Sequence, residues 1–155
     1  MYLTSTGKVT IQDPFVQVVL PLPDTTSATL TPEVIVKNHD AAPVSILTGK
    51  IGDITFEQPV ELAANEEKSV AFDPNTFSQL KVQNPRLWWP KGYGSPYLYD
   101  ANFTFKVGDK VSDSEDFKVG IRQMTFNENN SILSLFINGR RFIGRGGNWG
   151  LVSLI

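Results

Sequence analysis

The sequence ANFTFKVGDKVSDSEDFKVGI, residues 101–121, carries the clearest structural signal in the chain. Apolar and polar residues alternate through 101–107, which is the period of a β-strand with one buried face. Gly108 and Asp109 then supply a two-residue turn, and the alternation resumes at 117–121. The stretch therefore predicts a β-hairpin that contributes one apolar face to a core.

Short β-branched and aromatic runs continue upstream of this hairpin, separated by turn residues, whereas helical periodicity is hard to find. Residues 9–20 predict one strand that is interrupted at Asp13 and Pro14, and a proline there suits a sheet edge because it cannot donate to the ladder. Further strands are predicted at 34–37, 44–47, 54–56 and 69–72. The pattern indicates an all-β protein, an immunoglobulin-like antiparallel β-sandwich.

A second hairpin is predicted near the C-terminus, where Asn138-Gly139 separates two apolar runs. Residues 127–130, all polar, are interpreted as a linker ahead of it. We therefore predict two parts, a sandwich at 1–126 and a linker with a β-hairpin at 127–155. Because the apolar end of the chain has no partner in the sandwich, we expect 136–155 to be disordered or to pair with another copy.

Composition excludes several classes of function. The 155 residues are enough for one domain with a full core, and 14 basic against 16 acidic residues leave no electrostatic footprint for nucleic acid. No apolar run approaches the roughly 20 residues that span a bilayer. The absence of cysteine excludes disulfides and thiolate metal sites. Neither nucleic acid nor a membrane is expected as a partner.

Residues that carry catalytic chemistry are scarce. His39 is the only histidine, so a serine triad and a histidine metal cluster both lack their parts, and a solvated turn is the favoured interpretation of this residue. The acidic groups at 66–67 and 113–116 are interpreted as solvated charge in or beside turns, in preference to a calcium site. We expect no metal site and no cofactor.

The most unusual segment is NPRLWWPKGYGSPY, residues 84–97, which combines two tryptophans and two tyrosines with turn residues. Three interpretations stay open at this point: a surface on which sugars stack, a contact with a neighbouring domain, and a cap on one end of the core. The burial of the four rings separates these alternatives. The rings belong to Trp88, Trp89, Tyr93 and Tyr97.

Three stretches together resemble family 2 glycoside hydrolases, in particular their β-mannosidase, endo-β-mannosidase and exo-β-glucosaminidase branch. LWWPKGYGSPYLY at 87–99 resembles that family's run of tryptophans, proline and glycines, although Tyr97 separates Pro96 from Leu98. FKVGIR at 117–122 resembles the stretch that closes the family's immunoglobulin-like domain. FINGRRFIGRGGNW at 136–149 resembles the hairpin that enters its catalytic barrel.

The resemblance implies a place for this chain in a longer enzyme. Members of the family run from a jelly-roll domain through an immunoglobulin-like domain into a (β/α)8 barrel that carries two catalytic glutamates. This chain resembles the middle piece, with the barrel absent and with no catalytic residue of its own. Asn148 and Trp149 match the segment that leads toward the active-site rim, so they are expected to lie near substrate in the longer enzyme.

The leading functional hypothesis is a non-catalytic linking domain of a glycoside hydrolase that acts on β-linked sugars, with the neighbouring domains of the same chain as its partners. The alternative is a self-standing carbohydrate-binding module that binds an oligosaccharide through the four rings of 84–97. The barrel-entry motif argues against an adhesion-type immunoglobulin-like domain. A periplasmic or secreted location is favoured for the longer enzyme, and its sugar specificity stays open.

Overall fold

The computed structural model describes residues 6–40 and 44–144, and within these ranges the chain forms eleven β-strands and one short 3₁₀-helix. No helix in these two ranges is long and apolar enough to cross a membrane. The strands are β1 Val9–Val19, β2 Ser27–Asn38, β3 Val44–Ile51, β4 Ile54–Glu61, β5 Glu67–Ala71, β6 Lys81–Gln83, β7 Tyr99–Val107, β8 Lys110–Val119, β9 Met124–Asn129, β10 Ile132–Ile137 and β11 Arg140–Phe142, with the 3₁₀-helix at Ser78–Leu80.

Two four-stranded antiparallel sheets form a sandwich. In one sheet β2 pairs with β1, β5 and β6, and in the other the order is β4, β3, β7, β8. Apolar residues of both sheets form a single buried cluster between them. In β7 the alternate residues Ala101, Phe103 and Phe105 are buried, as the sequence pattern predicts. The prediction of an all-β, immunoglobulin-like antiparallel β-sandwich is confirmed.

The centre of the sandwich is aromatic. The ring of Phe72 is fully buried, with its centroid 4.6 Å from that of Phe56 and 5.4 Å from that of Phe77. Phe103 stacks 6.2 Å from Phe72 and also 5.7 Å from Phe117. The two sheets are therefore joined through edge-to-face and stacked ring contacts, which add to the stabilisation from apolar burial.

Gly49 in β3 has no side chain, and the Phe56 ring of this aromatic cluster packs directly against its backbone. A Cβ atom at position 49 would lie only 2.1 Å from Cε2 of the buried Phe56 ring. We expect Gly49→Ala to lower the free energy of unfolding by about 1–3 kcal/mol, because overpacking forces a core ring to move. Urea unfolding followed by tryptophan fluorescence measures the change. Thr48→Ala in the same strand is the control; a loss as large as that of Gly49→Ala would contradict the packing argument.

Strands β1 and β2 each contain a proline, Pro14 and Pro32. β1 lies at a sheet edge and shifts register between Gln12 and Phe15, with Asp13 at φ 48°, so the predicted edge strand with an interruption is confirmed. β2 begins at Ser27, earlier than predicted, and runs through Pro32. Pro32 lies between the parts of β2 that pair with β5 and with β6. Its missing N–H therefore interrupts neither of these ladders.

The acidic residues at 113–116 lie in the middle of strand β8, so their predicted position in or beside turns is wrong. β8 continues through them, and two of the three carboxylates accept hydrogen bonds from neighbouring strands. Asp113 Oδ2 accepts from the Ile11 N–H at 2.7 Å, and Asp116 Oδ1 accepts from Asn102 Nδ2 at 2.8 Å. Over the described ranges, no three His, Cys, Asp or Glu side chains are grouped to hold a metal ion.

His39 follows β2 and is exposed. Its Nε2 lies 3.0 Å from Thr10 Oγ1, and its backbone N–H donates to the Lys8 carbonyl. These contacts tie the end of β2 to the start of β1. The structure therefore places His39 at a solvent-facing strand end, in agreement with the interpretation of a solvated residue.

The third sheet, with strand order β11, β10, β9, is here called the C-terminal sheet. Asn138 and Gly139 connect β10 to β11 with φ values of 49° and 78°, which confirms the predicted Asn-Gly hairpin. Residues 127–129, interpreted as a linker, instead belong to β9, because β9 pairs with β10 along its whole length. The division of the chain into domains at 126 and 127 stays a prediction.

The structure corrects the expectation of disorder for the first part of the chain end. Residues 136–142 form strands and a tight turn, held by pairing with β9 on one side of β10 and with β11 on the other. The last eleven residues, 145–155, lie outside the described residues.

Candidate functional site

The four aromatic rings predicted as a site lie on one loop, and three of them, Trp88, Trp89 and Tyr93, lie where the sandwich meets the C-terminal sheet. Residues 84–97, here called the aromatic loop, connect β6 to β7. The loop contacts the end of β8 on one side and β11 on the other, as the bonds below show. This junction is the candidate functional site.

The backbone of the aromatic loop folds back on itself. The Trp88 N–H donates to the Ile121 carbonyl at 2.9 Å, and the Trp89 N–H donates to the Ser95 carbonyl at 3.0 Å. A Cβ at Gly94 would lie 2.8 Å from Cγ of the Trp89 ring, so glycine is needed for the close approach of loop and ring. The loop is consequently a defined structure rather than an open arm.

All four rings are half-buried, and each has a partner inside the chain. Tyr93 and Phe142 lie 5.5 Å apart between ring centroids, and arginines lie over the other three rings. Such cation–π contacts contribute about 0.5–1 kcal/mol each at exposed sites. By distance from the guanidinium Cζ to the ring centroid, the pairs are Arg86 and Tyr97 at 3.6 Å, Arg122 and Trp88 at 4.3 Å, and Arg140 and Trp89 at 5.0 Å.

Asn138 anchors the C-terminal sheet to the rest of the chain. Although it lies in a hairpin turn, it is only 3% exposed. Its N–H donates to the Gln123 carbonyl at 2.8 Å, its Oδ1 accepts from the Gln123 N–H at 2.9 Å, and its Nδ2 donates to the Trp88 carbonyl at 3.0 Å. Gln123 in turn accepts from the Leu20 N–H through Oε1 at 2.6 Å. One buried amide thus joins the hairpin, the aromatic loop and the segment after β8.

Tyr93 fixes the point at which the chain leaves β11. Its hydroxyl oxygen accepts a hydrogen bond from the Ile143 N–H at 3.1 Å, and its ring lies against Phe142. A single tyrosine therefore holds two consecutive residues at the end of the C-terminal sheet. The direction of the chain at 143 depends on the aromatic loop.

The loop between β1 and β2 borders the junction. A Cβ atom added at Gly139 would lie 3.5 Å from Leu22 Cδ2. This loop therefore lies close to the hairpin turn. The pKa of Asp24, an exposed residue of the loop, lies below its ordinary value because the backbone N–H and the hydroxyl of Thr26 both donate to its carboxylate. These bonds hold the loop in a tight turn beside the junction.

The structure brings together one group of predicted residues and leaves another outside its range. Trp88, Trp89 and Tyr93 share the junction, whereas the Tyr97 ring packs against Arg86 and Tyr99. Asn148 and Trp149 lie outside the described residues. Sequence reasoning missed the residues that organise the site, since neither an arginine's ring partner nor the burial of a turn asparagine shows in local spacing. The missed residues are Arg86, Arg122, Gln123, Asn138 and Arg140.

The sequence is similar to those of known glycoside hydrolases. The sequence model of the family described as glycosyl hydrolases family 2 matches residues 9–122. The exo-beta-D-glucosaminidase of Streptomyces avermitilis is 34% identical over 145 residues, which are 92% of this chain and 16% of that protein. The mannosylglycoprotein endo-beta-mannosidase of Lilium longiflorum is 35% identical over 106 residues, 66% of this chain and 11% of that protein.

Solved structures give the same picture. The crystal structure of the Amycolatopsis orientalis exo-chitosanase CsxA superposes with a TM-score of 0.81 at 29% identity, over 94% of this chain and 17% of that one. A GH2 beta-galacturonidase from Eisenbergiella tayi, at 21% identity and a TM-score of 0.69, shares the fold. The chain spans about a sixth or less of the length of the curated relatives just named.

Proposed function

The chain belongs to glycosyl hydrolases family 2, and we propose that it is the non-catalytic linking domain of a longer glycosidase that cleaves O-glycosidic bonds of β-linked sugars. Its relatives in the family include glycosidases that are named for β-linked glucosamine and mannose substrates. In this proposal the domain holds its neighbours on the same polypeptide in a fixed relation.

One observation carries the proposal: the aromatic rings of the junction are occupied by the chain itself. Sugars stack on an open ring face, yet arginine guanidinium groups lie over Tyr97, Trp88 and Trp89. The fourth ring, Tyr93, lies against Phe142 and accepts a hydrogen bond from the end of β11. Trp88, Trp89 and Tyr93 connect the sandwich to the C-terminal sheet, as expected of a linking domain.

The carboxylates of β8 also support a non-catalytic role. Glycoside hydrolysis requires two carboxyl groups about 5–9.5 Å apart on either side of one bond. Asp113 and Asp116 instead accept hydrogen bonds from the chain, at Ile11 N–H and Asn102 Nδ2. The catalytic pair is accordingly proposed to lie elsewhere on the longer polypeptide, with Asn148 and Trp149 near its substrate.

A glycan titration of the 155-residue chain tests the proposal. We expect no saturable change in tryptophan fluorescence with mannose-, glucosamine- or galactose-based oligosaccharides. Trp88→Ala should instead lower the free energy of unfolding by about 1–3 kcal/mol, because a half-buried ring and its contact with Arg122 are both removed. Urea unfolding of the variant measures this loss.

The matched control is Phe15→Ala, which truncates an exposed ring in β1 and leaves all three tryptophans in place. Its stability and fluorescence should stay close to those of the parent chain. Saturable glycan binding that disappears in a folded Trp88→Ala or Trp89→Ala variant would establish the alternative, a carbohydrate-binding module. That result would reject the linking role as the reason for the aromatic loop.

A further inference from the structure

Asn138 and Gly139 form the only Asn-Gly pair in the sequence. The hairpin between β10 and β11 favours this pair, because its two turn residues have φ values of 49° and 78°, which asparagine and glycine adopt with the least strain. The same pair is chemically labile, since glycine has no Cβ to keep its backbone nitrogen away from the preceding side chain. The turn therefore carries a reactive pair at the residue that anchors the C-terminal sheet.

The reaction of such a pair is deamidation, in which water is the only co-reactant. The Gly139 nitrogen attacks Cγ of Asn138, the new N–Cγ bond closes a five-membered imide, and the Cγ–Nδ2 bond breaks. The side-chain nitrogen leaves as ammonia, with the proton that the Gly139 N–H loses. Water then opens the imide. Cleavage of the N–Cγ bond leaves aspartate at position 138, and cleavage at the backbone carbonyl leaves isoaspartate, in which the main chain runs through the former side chain.

In the folded chain the amide of Asn138 is held against this reaction. Its Oδ1 accepts from the Gln123 N–H at 2.9 Å, and its Nδ2 donates to the Trp88 carbonyl at 3.0 Å. Attack at Cγ converts a planar carbon into a tetrahedral one, which moves both amide atoms out of line with their partners and weakens both bonds. Because the residue is only 3% exposed, the water that hydrolyses the imide is also excluded. Deamidation therefore requires the C-terminal sheet to open first.

Asn130 provides a comparison with a similar backbone conformation and no anchor. It lies in the turn between β9 and β10 at φ 50°, is exposed, and makes no side-chain hydrogen bond to any other described residue. The residue that follows it is Ser131, whose Cβ hinders attack by the backbone nitrogen, so Asn130 is intrinsically less reactive than Asn138. A faster reaction at Asn130 in the folded chain would therefore report the protection of Asn138.

We propose that Asn138 is a deamidation site that reacts only when the C-terminal sheet opens, and that the reaction makes the opening permanent. Neither product can donate a side-chain hydrogen bond to the Trp88 carbonyl, because a carboxylate replaces the amide. Isoaspartate also adds one main-chain atom to a two-residue turn, which disturbs the register of β10 and β11. The inference concerns the chemistry of this chain and is independent of whether the longer polypeptide is a glycosidase.

Peptide mass spectrometry of the 155-residue chain, incubated in mildly alkaline buffer, tests the first half of the proposal. One tryptic peptide, residues 123–140, contains both Asn130 and Asn138, so both rates come from the same molecule. In guanidinium chloride we expect Asn138 to react faster than Asn130. In the folded chain we expect Asn138 to be slowed at least about a hundredfold and Asn130 less than about tenfold, so that the order reverses. Equal rates for Asn138 in the folded and denatured chains would overturn the proposal.

Tyr93→Ala tests whether opening controls the rate. It removes the hydroxyl that accepts from the Ile143 N–H and the ring that contacts Phe142, and it leaves residues 138 and 139 unchanged. We expect hydrogen exchange of the β10 amides and deamidation of Asn138 to accelerate by the same factor, about tenfold, with the denatured rate unchanged. Phe15→Ala, which truncates an exposed ring on β1, is the control and should change neither rate.

Low, non-denaturing concentrations of guanidinium chloride make the same comparison in the parent chain, so the test does not depend on the folding of one variant. Faster exchange of β10 without faster deamidation of Asn138 would contradict control by opening.

Refolding of deamidated protein tests the second half of the proposal. Chains that have reacted at Asn138 in guanidinium chloride and are returned to buffer should exchange their β10 amides at least about tenfold faster than the parent, while β7 stays protected. An Asn130→Asp chain, denatured too briefly for Asn138 to react, controls for the reaction at Asn130. Parent-like protection of β10 in chains with isoaspartate at 138 would show that the anchor survives the reaction, and would overturn the permanence.

Discussion

Replacing Asn138 with alanine is expected to open the C-terminal sheet while the sandwich stays folded. The variant leaves the Gln123 N–H and the Trp88 carbonyl without their buried partner, and each such group costs about 1–3 kcal/mol. Residue 138 has φ 49°, in the left-handed region, where asparagine is tolerated because its side chain can form local hydrogen bonds. Alanine cannot form them, which adds a cost of about 1–2 kcal/mol. We expect the sheet to lose on the order of 3–8 kcal/mol in total.

Native-state hydrogen exchange of the β10 amides measures this loss. A loss of that size corresponds to exchange at least about 10² times faster, unless the sheet already opens at a lower free energy, which then sets the ceiling. Amides of β7, in the middle of the other sheet, should keep their protection. Equal acceleration in β7 and β10 would contradict a local anchor and would instead indicate global destabilisation.

Asn130→Ala is the matched control for the backbone part of this effect. Asn130 lies in the turn between β9 and β10 with φ 50°, is exposed, and makes no side-chain hydrogen bond to any other described residue. Its replacement should therefore show the conformational cost alone, about 1–2 kcal/mol. If the two alanine variants opened the sheet equally, the hydrogen bonds of Asn138 would contribute nothing to the junction.

Asn138→Asp separates the two bonds of the side chain. Aspartate tolerates the left-handed conformation and keeps an oxygen that can accept from the Gln123 N–H, but it cannot donate to the Trp88 carbonyl. We expect its effect on β10 exchange to lie between those of the parent and Asn138→Ala. The aromatic loop would then be connected to the hairpin through the Trp88 carbonyl in particular.

Local patterns were enough to predict the sandwich. The alternation in β7, the turn at Gly108 and the Asn-Gly hairpin all depend on residues next to one another, and the structure has each of them. The aromatic loop was also identified as a special segment, because four rings among turn residues are visible in the sequence itself. The sequence alone leaves three interpretations of what these rings contact.

Contacts that local composition does not reveal account for what the sequence does not show. Residues 127–129 are polar, which predicts a linker, yet they form a strand because their backbone groups pair with β10. The sequence identifies Asn138 only as a turn residue. In the structure its side-chain amide donates a hydrogen bond to the backbone carbonyl of Trp88, 50 positions away. The sequence predicts the acidic residues of β8 near turns because charge favours solvent, although neighbouring strands supply hydrogen-bond donors to Asp113 and Asp116. The partners of Asn138 and of the β8 carboxylates are distant in sequence, whereas residues 127–129 pair within a local hairpin that their polar composition hides.

The second large effect is expected in the core. Phe72→Ala should lower the free energy of unfolding of the whole chain by about 3–5 kcal/mol, because it removes a fully buried ring and leaves a cavity between the two sheets. The ring contacts Phe56, Phe77 and Phe103, so a single truncation weakens both sheets. Since small domains have only about 5–15 kcal/mol of stability, the variant is expected to be marginally folded. Urea unfolding followed by tryptophan fluorescence measures the loss.

Two controls keep this prediction testable even if Phe72→Ala does not fold. Phe72→Leu keeps most of the apolar volume and should lose less than the alanine variant, and Phe15→Ala, which truncates a ring that is 58% exposed, should lose little. The Phe72 variants should also weaken the C-terminal sheet, because Asn138 holds that sheet to Trp88 and Gln123 at the end of the sandwich. Exchange of β10 amides that stayed slow in Phe72→Leu while β7 amides accelerated would show that the C-terminal sheet is stable without the sandwich, and the anchor at Asn138 would then not be what holds it in place.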